Sequence, residues 1–327
     1  MAMPRFTFLP LLVCCLFFRN ASAGDAGPFP SRSIEIIVPF SAGGGLDTAC
    51  RLLAKYAEPE LGQNITVVNK TTGGNIQGNL MGIEAAPDGY TLGAWGSGLV
   101  TDQILVKNAP YTHRDVLPVC AFADDPEVIA VNRRFAEELG IETLEDLFAH
   151  VRANPGLVTI GMGGNWTAHD FLRLKMETQA KVKFNRMPFL GGPPALQATV
   201  EGNCNVATPF VSELLALLPS GNLMPLAVAF DSRLPQLPGI PSAVEAGYPE
   251  MIQTLWRVLT VPRGTPPAVI ARLEAAFAAA VAKPEFAEEA RSLGINPVFK
   301  NAADTAALIE SEYRHYREIA ERLGLGK

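Results

Sequence analysis

The stretch Ile34–Asp47, IEIIVPFSAGGGLD, decides how the rest of this chain is read. Ile36, Ile37 and Val38 make a β-branched strand core. Pro39 closes it, and Gly43, Gly44 and Gly45 form a small-residue turn into a helix that starts near Asp47. A strand that hands such a turn to a helix leaves unbonded backbone N–H groups at the positive end of the helix dipole. That is a cup for an anion. The glycines let a ligand come close where a Cβ would stand, although a plain turn needing positive φ would use them equally well. No Gly-Lys-Ser/Thr follows, so the loop is not a phosphate-binding P-loop. The spacing is not GxGxxG either, and no acid stands in the ribose position. An amide cup without a lysine suits a carboxylate better than a triphosphate.

The same grammar repeats outward from this point. Leu46, Ala49, Cys50, Leu53 and Ala57 fall on one face of the first helix, with Arg51, Lys55 and Glu58 opposite, the period of a helix packed on a sheet. Gly62 ends that helix. Ile65–Asn69 reads as a strand, and Thr72-Gly73-Gly74-Asn75 as a second turn before a helix toward Ala86. Pro87-Asp88-Gly89 is a turn, and Tyr90–Trp95 a strand ending in Gly96-Ser97-Gly98. Ligands of open α/β sheets bind beyond the carboxyl ends of the strands. Residues 40 to 47, 72 to 78 and 95 to 98 should therefore gather on one edge.

A second unit opens at Val128–Val131. Thr143 with Asp146 starts a helix that Asn154-Pro155-Gly156 stops. Strands are expected at Val158–Gly161, Phe184–Pro188, Val206–Thr208 and Met224–Phe230, with glycine loops at Gly163-Gly164-Asn165 and Gly191-Gly192-Pro193-Pro194. Leu255–Pro262 then returns to the first unit. Thr265 is the expected N-cap of an alanine-rich helix over Val269–Ala282. The last helix, from about Asn301, stacks Ile309, Tyr313, Tyr316, Ala320 and Leu323 on one face. Two α/β units, the first interrupted by the second, describe a clamshell. The expected limits are 24–124 and 254–327 for the first lobe and 125–253 for the second.

Length and charge agree with this. The chain has 327 residues, enough for two domains with cores. Residues 1–23 read as a secretory signal: Arg5, an apolar run from Phe6 to Phe18, and a small-residue cleavage site at Ala21-Ser22-Ala23. Arg5 and Arg19 are the only charges there, so the remainder carries −8 rather than −6. That acidity disfavours nucleic acid as a partner. No other run of about 18 apolar residues exists, so a soluble mature chain in the periplasm is expected. Cys50, Cys120 and Cys204 remain in the mature part, without CxxC or Cys/His metal spacing, and read as buried structural thiols.

The motifs VPFSAGGGLD, TGGN at Thr72–Asn75, AAPDGYTL at Ala85–Leu92, MPFLGGPPAL at Met187–Leu196 and VPRGTPP at Val261–Pro267 occur in order. Together they resemble the Bug family, the periplasmic solute-binding proteins of tripartite tricarboxylate transporters. The resemblance covers roughly Ser31 to the C-terminus. It implies a type II periplasmic-binding-protein fold with no cofactor and no metal, and capture of a small organic carboxylate by backbone amides, hydroxyls and bridging waters between the lobes. It also implies a membrane partner of one large and one small integral subunit, and we expect a monomer. Carried over by position, the first-lobe contacts are Phe40, Ala42, Gly43, Asp47, Gly74, Asn75, Gly96 and Ser97, and the second-lobe contacts Gly163, Asn165, His169 and Gly191. The sequence departs from the family pattern at Trp95, in a loop commonly rich in Thr or Ser. It departs again at Asn205 and Pro209, where two Asp residues are usual.

Several side chains have two readings. Asp47 either caps its helix or touches ligand, and His169 either packs beside its loop or touches ligand. His113, His150 and His315 look like surface or interface residues. Trp95 and Trp256 are core residues or aromatic walls. Arg186 and Arg257 could pair a carboxylate bidentately, although solvated or structural arginines are the ordinary case. No nucleophile-elbow pattern surrounds Ser97, and no paired carboxylates or Cys–His pair appear. A binding protein is therefore favoured over a hydrolase or isomerase on an α/β scaffold. A sensor's ligand-binding partner would share the same fold.

Overall fold

The computed structural model describes residues 28–40, 42–71, 75–164, 167–189, 191–322 and 324–325. The expected signal segment, Gly74, Asn165 and Leu323 lie outside these residues. The strands are β1 Ile34–Val38, β2 Ile65–Asn69, β3 Thr91–Trp95, β4 Val116–Pro126, β5 Val128–Asn132, β6 Thr159–Met162, β7 Asn185–Pro188, β8 Val206–Ala207, β9 Leu223–Val228, β10 Thr254–Pro262 and β11 Pro297–Lys300. The helices are α1 Gly45–Leu61, α2 Asn75–Ile83, α3 Gly98–Leu105, α4 Arg133–Leu139, α5 Leu144–Ala153, α6 Ala168–Ala180, α7 Gly192–Val200, α8 Val211–Leu217, α9 Pro267–Val281, α10 Pro284–Ser292 and α11 Ala302–Arg322.

They build two mixed sheets flanked by helices, ordered β11-β4-β10-β3-β1-β2 and β7-β6-β8-β5-β9. In the first sheet β1 runs parallel to β2 and β3, while β10 runs antiparallel to β3 and β4. Ile34, Ile36, Ile37 and Val38 are at most 3% exposed, because helices cover both faces of this sheet. The buried face of α1 holds the expected Leu46, Ala49, Cys50, Leu53 and Ala57, packed toward α9. Gly62 takes the left-handed conformation (φ 69°) and its N–H bonds Glu58 O, which ends the helix. Thr143 and Asp146 cap α5 reciprocally.

Some elements differ from expectation. Thr265 is not the cap of α9: its hydroxyl bonds Pro262 O, and Pro266 holds the N-cap position. Two strands, β4 and β11, and helix α3 carry no period that separates them from loop. His113 is buried and ties α3 to α11 through Gln103 and Glu310, at 3.0 and 3.1 Å.

The chain passes between sheets twice. Only Glu127 separates β4 from β5, and the return runs from β9 to Gln253 and β10. The crossings are bonded to one another: Glu127 N to Gln253 O (3.1 Å), Ala229 N to Glu127 O (2.8 Å) and Gln253 N to Ala229 O (2.8 Å). This is the two-crossover arrangement of a type II clamshell. A further link between the lobes is the contact of the Phe171 and Tyr316 rings, 4.4 Å apart.

Candidate ligand-binding site

The carboxyl ends of β1, β2 and β3 bring Phe40, residues 42–47, Asn75 and 96–98 to one edge, as parallel strands must. Phe40 is 46% exposed there, Ala42 and Gly43 are exposed, and Gly43 has φ +79°. Asp47 is buried at 1% and spends its carboxylate internally. It accepts from Gly43 N at 2.8 Å, Asn69 Nδ2 at 2.9 Å and Arg51 at 3.0 Å. Burial alone would raise its pKa, but the hydrogen bonds from Arg51, Gly43 and Asn69 outweigh it and hold it below the ordinary value. Asn69 Nδ2 also bonds Phe40 O at 2.9 Å. Asp47 and Asn69 thus brace the glycine loop from behind.

Asn75 donates to Asp102 Oδ2 at 3.3 Å, and Ser97 is 7% exposed at the start of α3. A Cβ on Gly96 would come 2.8 Å from Leu255 Cδ1. Trp95 is 2% exposed, donates to Thr260 Oγ1 at 2.8 Å and packs edge-on against Tyr111, so it is core and not a ligand wall. Trp256 is likewise buried, bonded to Glu312 Oε2 at 3.0 Å. Arg186 pairs with the buried Asp170 at 3.1 Å.

In the second lobe the carboxyl ends of β6, β7 and β8 do the same work. A Cβ on Gly163 would lie 2.6 Å from His169 Cδ2, 2.7 Å from Gly192 N and 2.9 Å from Gly191 C. Gly163, His169 and Gly191 are therefore in one cluster, and only glycine fits at position 163. His169 is 5% exposed. Its Nδ1–H donates to Thr208 O at 2.5 Å and its ring lies 4.6 Å from Phe210, so it ties α6 to the loop after β8. A recess among Gly161, Gly163, His169, Gly192 and Thr208 is too narrow to seat a water molecule. A larger hollow of about 400 Å³ lies at the opposite edge of this sheet, around Asn132, Asn205 and Asn222, away from the loops.

Four charged residues at this junction escape any motif. β10 runs antiparallel to β3, with Val258 opposite Trp95, so Arg257 arrives at the edge where the first-lobe loops gather. It is 1% exposed and donates through Nε and Nη2 to Asp125 Oδ2. Glu213, on α8, accepts from Phe210 N at 3.1 Å and lies against Gly192, whose Cβ would meet its carboxylate at 2.3 Å. Burial pushes the Glu213 carboxyl up, while His169, the Phe210 N–H and Arg257 pull it down. A second-lobe acid is thus close enough to a first-lobe arginine for their charges to interact. Glu127, fully buried at the crossing, is raised well above the ordinary range by burial, reinforced by Glu213 and opposed by Lys175. Its Oε1 lies 3.6 Å from His169 Nδ1.

Two sheets joined by paired crossings, each carrying glycine loops at the carboxyl ends of its strands, define a two-lobed solute-binding protein. The chain belongs to the tripartite tricarboxylate transporter family receptors, whose family model matches residues 49–325. Members of that family are receptors, so the chain is not an enzyme. It is 28% identical to BugT of Bordetella pertussis over 312 residues, covering 93% of this chain and 94% of that one. Among solved structures it is similar to the periplasmic binding protein BugD, at TM-score 0.79 and 25% identity over 91% of this chain and 100% of that one. It is also similar to MatC of Rhodopseudomonas palustris, solved with bound malate, at TM-score 0.77 and 26% identity over 89% and 99%. Among the described residues no helix is long and apolar enough to cross a membrane.

Proposed function

We propose that this receptor captures a small organic carboxylate between its lobes and delivers it to the integral membrane subunits of a tripartite tricarboxylate transporter. What supports this reading is that Arg257 lies against Gly45 in one lobe while Gly163, His169, Gly191 and Glu213 cluster in the other, with Arg257 and Glu213 near enough for their charges to interact. The malate bound by MatC supports the ligand class. Residues 24–124 and 254–327 form the lobe that holds Arg257, and residues 125–253 form the facing lobe. Residues 1–23 direct export and are removed, so the mature chain works in the periplasm as a monomer. Phe40, Ala42, Gly43, Asn75, Gly96 and Ser97 line one wall and Gly163, Gly191 and His169 the other, with Gly74 and Asn165 in the same loops.

The test is thermal-shift screening of the mature chain against a panel of carboxylic acids. A ligand at about 100 times its dissociation constant stabilises by about 2.7 kcal/mol. A panel in which no carboxylate moves the melting temperature would overturn the reading.

A further inference from the structure

The guanidinium of Arg257 is only half used. Asp125 Oδ2 takes Nε and Nη2, while Nη1, buried, has no acceptor among the described residues. A buried guanidinium N–H without an acceptor is costly and rare. The guanidinium lies beneath the first turn of α1: a Cβ on Gly45 would stand 2.6 Å from Nη2 and 3.4 Å from Nη1. A cation there faces the positive end of a 17-residue helix, an unfavourable pairing unless an anion comes between. The residue before that helix, Gly44, offers no side chain to cap the first-turn amides. An uncapped helix start and an unsatisfied arginine edge therefore point to one missing partner, a carboxylate.

The facing lobe is different. α7 begins Gly192-Pro193-Pro194, so two of its first-turn positions have no N–H to offer. The Glu213 carboxylate already lies against that helix start. A second carboxylate directed at this wall would meet a resident one.

We propose that the free edge of Arg257 and the uncapped first turn of α1 form the carboxylate seat of this receptor, and that Glu213 faces the other end of the ligand as an acceptor. The ligand is then a monocarboxylate bearing an ammonium or hydroxyl donor, not a dicarboxylate. This rests on the receptor reading above and narrows it. Asp125 is a positioning residue, because it fixes which edge of the guanidinium faces the cleft.

The test is calorimetric titration of the mature chain with two matched sets: butyrate, 2-hydroxybutyrate, 2-aminobutyrate and succinate; and benzoate, 4-hydroxybenzoate, 4-aminobenzoate and terephthalate. In at least one set the donor-bearing monocarboxylate binds tightest. For it, Arg257→Lys weakens binding about 10-fold and the paired variant Asp125→Asn/Arg257→Gln about 100-fold, since a charge-directed fork is lost. The paired variant removes both buried charges together, so its melting curve shows it folded. Glu213→Gln tightens succinate or terephthalate about 10-fold. If the folded paired variant binds within threefold of wild type, Arg257 is not the seat. If the dicarboxylate binds wild type tightest, the role of Glu213 is wrong, and the receptor reading stands in both cases. A wild-type chain that binds no carboxylate overturns the receptor reading itself.

Discussion

Replacing Asp47 by Ala separates its two readings. The carboxylate accepts from Gly43 N at 2.8 Å and Asn69 Nδ2 at 2.9 Å, and it pairs with Arg51. A cap-type bond such as that to Gly43 N contributes about 1 kcal/mol. The partly buried bond from Asn69 to a charged acceptor contributes about 1.5 kcal/mol, at the low end because Asn69 keeps Phe40 O. Arg51 is 50% exposed, so its ion pair is screened and adds only a few tenths of a kcal/mol. The sum is about 2–3 kcal/mol, or roughly 3–5 °C in melting temperature for a chain of this length. Urea unfolding of the unliganded mature chain reads it directly. The folded pKa of Asp47 lies below its unfolded value near 3.8, so its contribution is complete above that value and is lost as pH falls through the folded pKa. The acid limb of the stability profile should therefore flatten in the Ala variant. An Ala variant as stable as wild type, yet more than about 100-fold weaker for ligand, would refute the bracing role and make Asp47 a direct contact.

Glu127→Gln should stabilise the chain at pH 8. Its folded pKa is raised, so its stability is fully present below about 4.5 and declines as pH rises toward the folded value; the variant should lose that slope in melts from pH 5 to 8. Gly163→Ala should lower both melting temperature and affinity, because the new Cβ meets backbone at 2.7 and 2.9 Å; unchanged values would mean the second-lobe cluster is loose. Cys50 and Cys120 are fully buried, with burial pushing the Cys50 thiol up to about 12. Both should resist a thiol reagent until urea unfolds the chain. Trp95→Phe should leave ligand affinity unchanged while costing stability, since the indole is bonded to Thr260 inside the core.

Much of this was legible because it is local. The β-branched run at Ile36–Val38, the glycine turn after it and the helical period of Leu46–Ala57 fix a strand, a loop and a helix with no knowledge of the rest. The motif order fixes the family. The place of His169 beside the Gly163 loop was reachable by register with that family, and the acid at Asp47 by its place in the first helical turn, although it braces the loop at Gly43 and does not cap the helix. Pro193 and Pro194 already say in one dimension that the second helix start is poor in donors. What the sequence could not show is who faces whom. Arg257 and Asp125 lie 132 positions apart, and no period or spacing links them; they meet because β10 returns antiparallel between β3 and β4. Glu213 looks like an ordinary first-turn acid until α8 sets it against Gly192. A charge acquires its role from its neighbours in a medium of low dielectric, and only the folded chain chooses those neighbours.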